Sequence, residues 1–170
     1  PRSFLGQYLR RDTLVKRYSW AIPGENALEK IASYSPIVEM GAGSGYWAYL
    51  LRGLGVDVVA YDNGDAWHPD LKGKNPPRWT KVLEGTPESL RNHSDRTLLL
   101  VWPPYAEPMA YECLIHYGGN RIIYVGEGSG GCTADDQFHE RLEDRWERVE
   151  GVSVPQWDGI HDHMEVWERK

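Results

Sequence analysis

Apolar positions along this chain follow two alternating rhythms. Short apolar runs recur near residues 36–40, 57–61, 80–84, 97–102 and 121–125, and their lengths predict strands. Between runs, the apolar residues are spaced three and four apart. Trp47, Leu50, Leu51 and Leu54 form one such stripe. Ala110, Cys113, Leu114 and Tyr117 form a second, and Phe138, Leu142 and Trp146 a third. These stripes predict helices near 45–54, 107–117 and 134–146. Two earlier helices are expected at 7–17 and 26–33, the latter with Leu28, Ile31 and Ala32 on one face, and two last strands near 147–154 and 163–168. Strand–helix alternation that closes on an antiparallel pair predicts an α/β three-layer sandwich, with a mostly parallel sheet and helices on both faces.

One stretch breaks the alternation. Residues 63–79 contain Gly64, Pro69, Gly73, Pro76 and Pro77, which oppose a helix. A long ordered loop is expected there, of the kind that often serves as a lid. Trp67 and His68 lie in it, either as ligand contacts or, for Trp67, as cover for the bare sheet edge.

The most informative chemistry follows the first core strand. Ile37 and Val38 lead into Glu39, then Gly41, Gly43 and Gly45 alternate before the first apolar stripe begins. A strand, a tight glycine turn and a helix start are predicted, with backbone open to close approach by a ligand and free N–H groups at the helix start. The dinucleotide pattern requires glycine at 46, where this chain has Tyr46. The next strand ends in Asp62, a position suited to binding two ribose hydroxyls.

Acid-x-G-x-G-x-G followed by a strand-end acid resembles the class I S-adenosylmethionine-dependent methyltransferases. The resemblance covers about residues 18–169. It implies seven strands and one domain over 1–170, with residues 1–33 as a helical cover and 34–170 as a Rossmann-like core. It implies a cofactor site of Glu39, Gly41, Ala42, Gly43, Gly45, Tyr46 and Asp62, the last holding the ribose. Glu84 or Thr86 would meet the adenine. Tyr18 and Trp20, in the segment before the glycine turn, would line the cofactor pocket or else pack a helix junction.

A second motif ends the fourth strand. Leu98–Val101 reads as a buried central strand, stopped by Trp102-Pro103-Pro104-Tyr105. This resembles motif IV of the amino-group methyltransferases, in which an Asp, Asn or Ser precedes Pro-Pro and an aromatic residue. Tyr105 would stack on a planar substrate, and the Pro103 and Pro104 carbonyls would accept hydrogen bonds from an amine. Trp102 departs from the pattern, since its indole only donates. It would form an aromatic wall or a cation–π contact with the sulfonium. The fifth strand leads into Gly126-Glu127-Gly128 and a glycine-rich loop. Glu127 is the candidate general base or substrate anchor, or else an acceptor of loop N–H bonds.

Composition narrows the partners. No apolar run approaches the ~20 residues that span a bilayer, and the polar, basic first segment does not read as a signal peptide. A cytoplasmic location is expected. Two cysteines, Cys113 and Cys132, are too few for a disulfide framework. His161 and His163 stand two apart and would need ligands from elsewhere, so no metal is expected. The net charge of −6 opposes a stand-alone nucleic-acid binder, although Arg2, Arg10, Arg11, Lys16 and Arg17 make a basic arm. The expected activity is methyl transfer to a small or planar substrate, or to one presented by a partner protein. The alternatives are a non-catalytic scaffold, and an RNA or DNA methyltransferase that uses the basic arm.

Overall fold

A computed structural model describes residues 4–170. Arg2 of the basic arm lies outside the described residues. The helices are α1 (Phe4–Arg17), α2 (Glu25–Ala32), α3 (Tyr46–Gly53), α4 (Met109–His116) and α5 (Asp136–Arg145). The strands are β1 (Ile37–Met40), β2 (Val58–Asp62), β3 (Leu83–Glu84), β4 (Thr97–Val101), β5 (Arg121–Gly126), β6 (Trp146–Ser153) and β7 (His163–Arg169). They form one seven-stranded sheet in the order β3-β2-β1-β4-β5-β7-β6. Only β7 runs antiparallel to its neighbours β5 and β6.

Alternation along the strands sorts the core into two layers. Ile37, Leu99, Ile123 and Val125 face one side, against Ala27, Ile31, Trp47 and Leu51 of α2 and α3. Val38, Leu98, Leu100 and Ile122 face the other, against Ala110 and Leu114 of α4 and Phe138 of α5. A strand buried on both faces reads as an unbroken apolar run, and Leu98–Leu100 is wholly buried.

Departures from the expected elements are local. β3 keeps only Leu83–Glu84 of the expected 80–84. The Arg52 guanidinium takes the Thr80 hydroxyl and the Lys81 carbonyl, both at 2.8 Å, so residues 80–81 follow α3 instead of the β2 ladder. Residues 63–79 are a loop, with a single 3-10 turn at Pro69–Leu71. Trp146 opens β6 instead of closing α5, still buried. Among the described residues, no helix is long and apolar enough to cross a membrane.

Candidate active site

The sheet order reverses between β1 and β4, and open α/β sheets place their ligands outside the carboxyl ends of strands at such a point. A cavity of about 880 Å³ lies there, within the ~300–1,000 Å³ usual for small-molecule sites. A smaller groove of about 560 Å³ lies elsewhere, lined by Asn120, Arg121, Glu168, Arg169 and Lys170 and remote from the glycine turn.

The floor of the cavity is the glycine turn. Gly41, Gly43 and Gly45 have φ of +77°, +54° and +76°. The N–H groups of Gly41 and Ala42 both donate to the Tyr61 carbonyl at 2.9 Å, which seats the turn across the end of β2. A Cβ on Gly41 would lie 2.9 Å from the Met109 Cε, and one on Gly43 3.1 Å from the Trp67 side chain. Both positions hold a left-handed backbone, and a side chain at either would press on its neighbour. Asp62 accepts from the Gly43 N–H at 2.8 Å and the Gly64 N–H at 3.2 Å, with the Arg78 guanidinium at 3.4 Å. A carboxylate has about four acceptor positions, so capacity is left for a ligand.

Among the described residues four buried side-chain atoms have no partner: Glu39 Oε2 and Trp47 Nε1, on residues that line the cavity, and Nε and Nη2 of Arg11. Burial pushes the Glu39 carboxyl up to about 8, and Asp62 adds to the rise, against the pull of Arg52 and of the Ala48 N–H. Buried polar groups in native proteins are nearly always hydrogen-bonded, so an orphaned donor and acceptor that share one cavity mark a place for a ligand.

The roof is α1, the segment after it and the loop 63–79, laced together by indole N–H groups. Trp67 donates to Lys16 O (3.1 Å), Trp79 to Arg17 O (2.7 Å), Trp20 to Trp67 O (2.8 Å) and Trp157 to Trp20 O (2.8 Å). Ser44 donates to the Tyr18 carbonyl. Trp67 thus packs on the glycine turn and does not cover the sheet edge. His68 is buried, stacks on Trp20, and contacts Asp12 at 3.0 Å. Asp12, His68 and Asp70 present ligand atoms within 4.8 Å of one another, but the Lys16 ammonium pairs with both carboxylates and supplies a cation of its own.

The far wall is built at the end of β4. Trp102 has φ of +51° and stacks on Trp20, with ring centroids 4.9 Å apart and planes 8° apart. Its indole N–H donates to both Asp162 oxygens, at 2.9 and 3.1 Å. Burial lifts Asp162 to about 6 and Glu127 raises it further, against the Trp102 hydrogen bond and the charges of Arg11 and His163. The Arg11 guanidinium lies 5.7 and 5.8 Å from the Trp20 and Trp102 ring centroids.

Nine of the fourteen expected site residues line this cavity: Glu39, Gly41, Ala42, Gly43, Asp62 and Thr86 on the floor side, Trp20, Trp102 and Tyr105 on the wall. Tyr18 lines it as well. Five do not, which corrects the expected set. Gly45 caps α3 and lies against Val82 and Thr80. Tyr46 points away, into a ring cluster with Tyr18, Tyr49 and Trp79. Glu84 is exposed on the sheet edge, which leaves Thr86 as the cavity residue of that pair. Pro103 is buried and its carbonyl accepts the Ala134 N–H at 3.1 Å, so it is engaged with the chain itself and not offered to an amine. Glu127 accepts the Cys132 N–H at 2.8 Å and the His161 N–H at 2.7 Å. Burial opposes its ionisation, yet these bonds and the Cys132 thiol hold it down at about 2, which makes it a poor base and a good loop anchor. The same contact and burial push the Cys132 thiol up to about 11.

Sequence reasoning missed Trp47 and Asp162. Trp47 reads as one member of a packing stripe, and only its place in the first turn of α3 hints at a ligand-facing indole. Asp162 is sixty positions from Trp102, with no local signal that the two meet.

No protein family matches the sequence by profile, and no curated protein matches it. Solved structures do match in shape. The magnesium protoporphyrin IX methyltransferase of Synechocystis PCC 6803, solved with bound S-adenosylmethionine, superposes with a TM-score of 0.57 at 10% identity, over 96% of this chain and 84% of that one. A Streptococcus pneumoniae protein assigned as a tRNA (m1A22) methyltransferase gives 0.56 at 14% identity, over 87% and 71%. The PH0226 protein of Pyrococcus horikoshii OT3 gives 0.56 at 14%, over 97% and 92%. Strand order, the antiparallel β7 and these superpositions together give the chain the class I S-adenosylmethionine-dependent methyltransferase fold.

Proposed function

We propose that this chain binds S-adenosylmethionine in the cavity at the ends of β1, β2 and β4 and transfers its methyl group to a small or planar substrate. The observation that carries the reading is the pair of orphaned polar atoms, Glu39 Oε2 and Trp47 Nε1, buried in one cavity with the Asp62 carboxylate. The cofactor supplies the activated methyl group. Asp62 holds the ribose hydroxyls, Thr86 meets the adenine, and Glu39 receives the ammonium of the amino-acid end. Gly41 and Gly43 keep the turn clear of side chains. Two of the superposed enzymes, acting on a porphyrin and assigned to tRNA, are compatible with planar or nucleic-acid substrates.

The substrate side is aromatic. Trp102, Tyr105 and Met109 line it, with Tyr105 67% exposed at the rim. With Trp102 fixed by Asp162 and Glu127 committed to its loop, the wall orients a flat nucleophile by contact and excludes water. Displacement at a sulfonium needs positioning above all, and a base only when the nucleophile must lose a proton. The free cysteines Cys113 and Cys132 accord with a reducing compartment such as the cytoplasm.

A second reading, a cofactor-binding scaffold without turnover, draws on the same Trp102, because its side chain offers no acceptor to an amine. Calorimetric titration with S-adenosylmethionine and S-adenosylhomocysteine tests the first step. Micromolar binding, weakened by Asp62→Ala, is expected. Absence of binding by folded protein overturns the enzyme reading and the cofactor-binding scaffold alike. Binding without methyl transfer across a screen of planar acceptors favours the scaffold.

A further inference from the structure

Beside the cavity, four aromatic rings gather where α1, α3 and the loop 63–79 meet. Tyr18 stacks on Trp79 with centroids 5.2 Å apart, and Tyr46 lies 4.9 Å from Tyr18 and 5.0 Å from Trp79. Tyr49 completes the group, 5.4 Å from Trp79 and 45% exposed. None of the four belongs to either apolar core layer. Among the described residues, the hydroxyls of Tyr18, Tyr46 and Tyr49 have no hydrogen-bond partner.

The run that carries Trp79 is basic although the chain is acidic. Residues 71–81 carry Lys72, Lys74, Arg78 and Lys81 and no acid. Lys72, Lys74 and Lys81 are exposed, and among the described residues none of them makes an ion pair. The Arg17 guanidinium lies 5.4 Å from the Tyr18 ring centroid. The acidic stretch 127–150 supplies α5 and β6, and β6 is the opposite edge of the sheet from β3. The run 71–81 is thus locally basic, with Asp62, Asp65 and Asp70 before it and Glu84 after it. Tyr18 and Lys72 also line the cavity, so the two surfaces are continuous.

Partly exposed rings interleaved with unpaired cations match the chemistry of single-stranded nucleic acid, whose bases stack on aromatic faces while its phosphates meet Lys and Arg. A duplex hides its base faces and would use the cations alone. We propose that the face formed by Tyr18, Tyr46, Tyr49 and Trp79, with Lys74 and Lys81 of the run that carries Trp79, binds single-stranded nucleic acid. This inference does not depend on the cofactor reading, because base stacking and phosphate contacts need no methyl donor, although Tyr18 lines the cavity as well.

The test is fluorescence anisotropy with a labelled fifteen-nucleotide oligouridylate and oligodeoxythymidylate, on the full chain, Tyr49→Ala, and the double variant Lys74→Glu/Lys81→Glu. Binding should weaken as salt rises from about 50 to about 200 mM, with a log–log slope near −2 to −3 for three or four phosphates. Tyr49→Ala should weaken it about fivefold or more, the loss of one stacked base. The charge reversal should flatten the slope by about 1.4 for two contacts. Both variants should keep the parental melting temperature, since the substituted side chains are exposed. No binding at low salt overturns the proposal. So does binding of polyglutamate in place of the oligonucleotides, or oligonucleotide binding that neither variant changes. S-adenosylhomocysteine titration on the same samples reads the cavity separately, so a failed cofactor site and a failed nucleic-acid face are told apart.

Discussion

At and past the end of β1, Glu39 Oε2 and Trp47 Nε1, on residues that line the cavity, have no partner, whereas at the end of β4 the Trp102 indole, the Pro103 carbonyl and the Glu127 carboxylate are all engaged. Trp102 is bound to Asp162, the Pro103 carbonyl to Ala134, and Glu127 to Cys132 and His161. The β1 side keeps polar atoms without partners. The β4 side is a finished wall. The difference teaches where affinity and where shape are decided: the first region gains hydrogen bonds when occupied, and the second contributes a rigid aromatic surface whose geometry is already settled.

The largest effect that would break this contrast is Asp62→Ala. Loss of hydrogen bonds to a charged group, worth ~1.5–3 kcal/mol, should weaken S-adenosylhomocysteine about tenfold to a hundredfold in calorimetry. An unchanged Kd would place the ligand elsewhere.

Glu127 belongs to the finished wall, so its substitution should act on stability. Glu127→Gln replaces an acceptor with an NH₂ aimed at N–H donors, and should cost about 1–3 kcal/mol in denaturant unfolding, with cofactor affinity unchanged. A collapse of turnover in a variant of parental stability would instead make Glu127 a catalytic group.

The orphaned Glu39 should couple binding to protons. Its carboxyl is raised from 4.5 to about 8, so it is largely protonated at neutral pH while the cavity lacks a cation. Receiving an ammonium requires release of that proton. Affinity for S-adenosylhomocysteine should therefore rise as pH increases from about 6 towards about 8, by up to about tenfold per unit, and Glu39→Gln should flatten the profile. Titration in two buffers of different ionisation enthalpy would detect the released proton, and equal apparent enthalpies would refute the coupling.

Asp162 gives a smaller effect of opposite character. Its folded value, about 6, lies above the ordinary 3.8, so the native state holds the extra proton and stability declines as pH rises through that window. Asp162→Asn keeps an acceptor for the Trp102 indole without the buried charge. It should raise stability at neutral pH by about 1–2 kcal/mol and remove the decline between 3.8 and about 6, read from unfolding curves across pH. The smallest change is Tyr105→Ala, at a rim residue 67% exposed, expected to leave stability within about 0.5 kcal/mol. Any loss of turnover there would report substrate contact alone.

Much of this architecture was legible before any coordinates. The alternation of runs and stripes, the glycine turn between Glu39 and the first helix, and Asp62 at the next strand end all rest on neighbours within a few residues, where period and backbone sterics act directly. The proline and glycine content of 63–79 excluded a helix for the same local reason. Which polar groups find partners was not legible, because those partners arrive from distant elements. Asp162 reaches Trp102 from the β6–β7 connection, His161 reaches Glu127 from the same loop, and the carbonyls of Lys16, Arg17 and Trp67 take up indoles from the loop 63–79 and the segment after α1. Local pattern places a side chain on a face of the sheet or a helix. Only the packed chain decides whether its hydrogen-bonding atoms are satisfied there, and that difference separates a wall from a binding site.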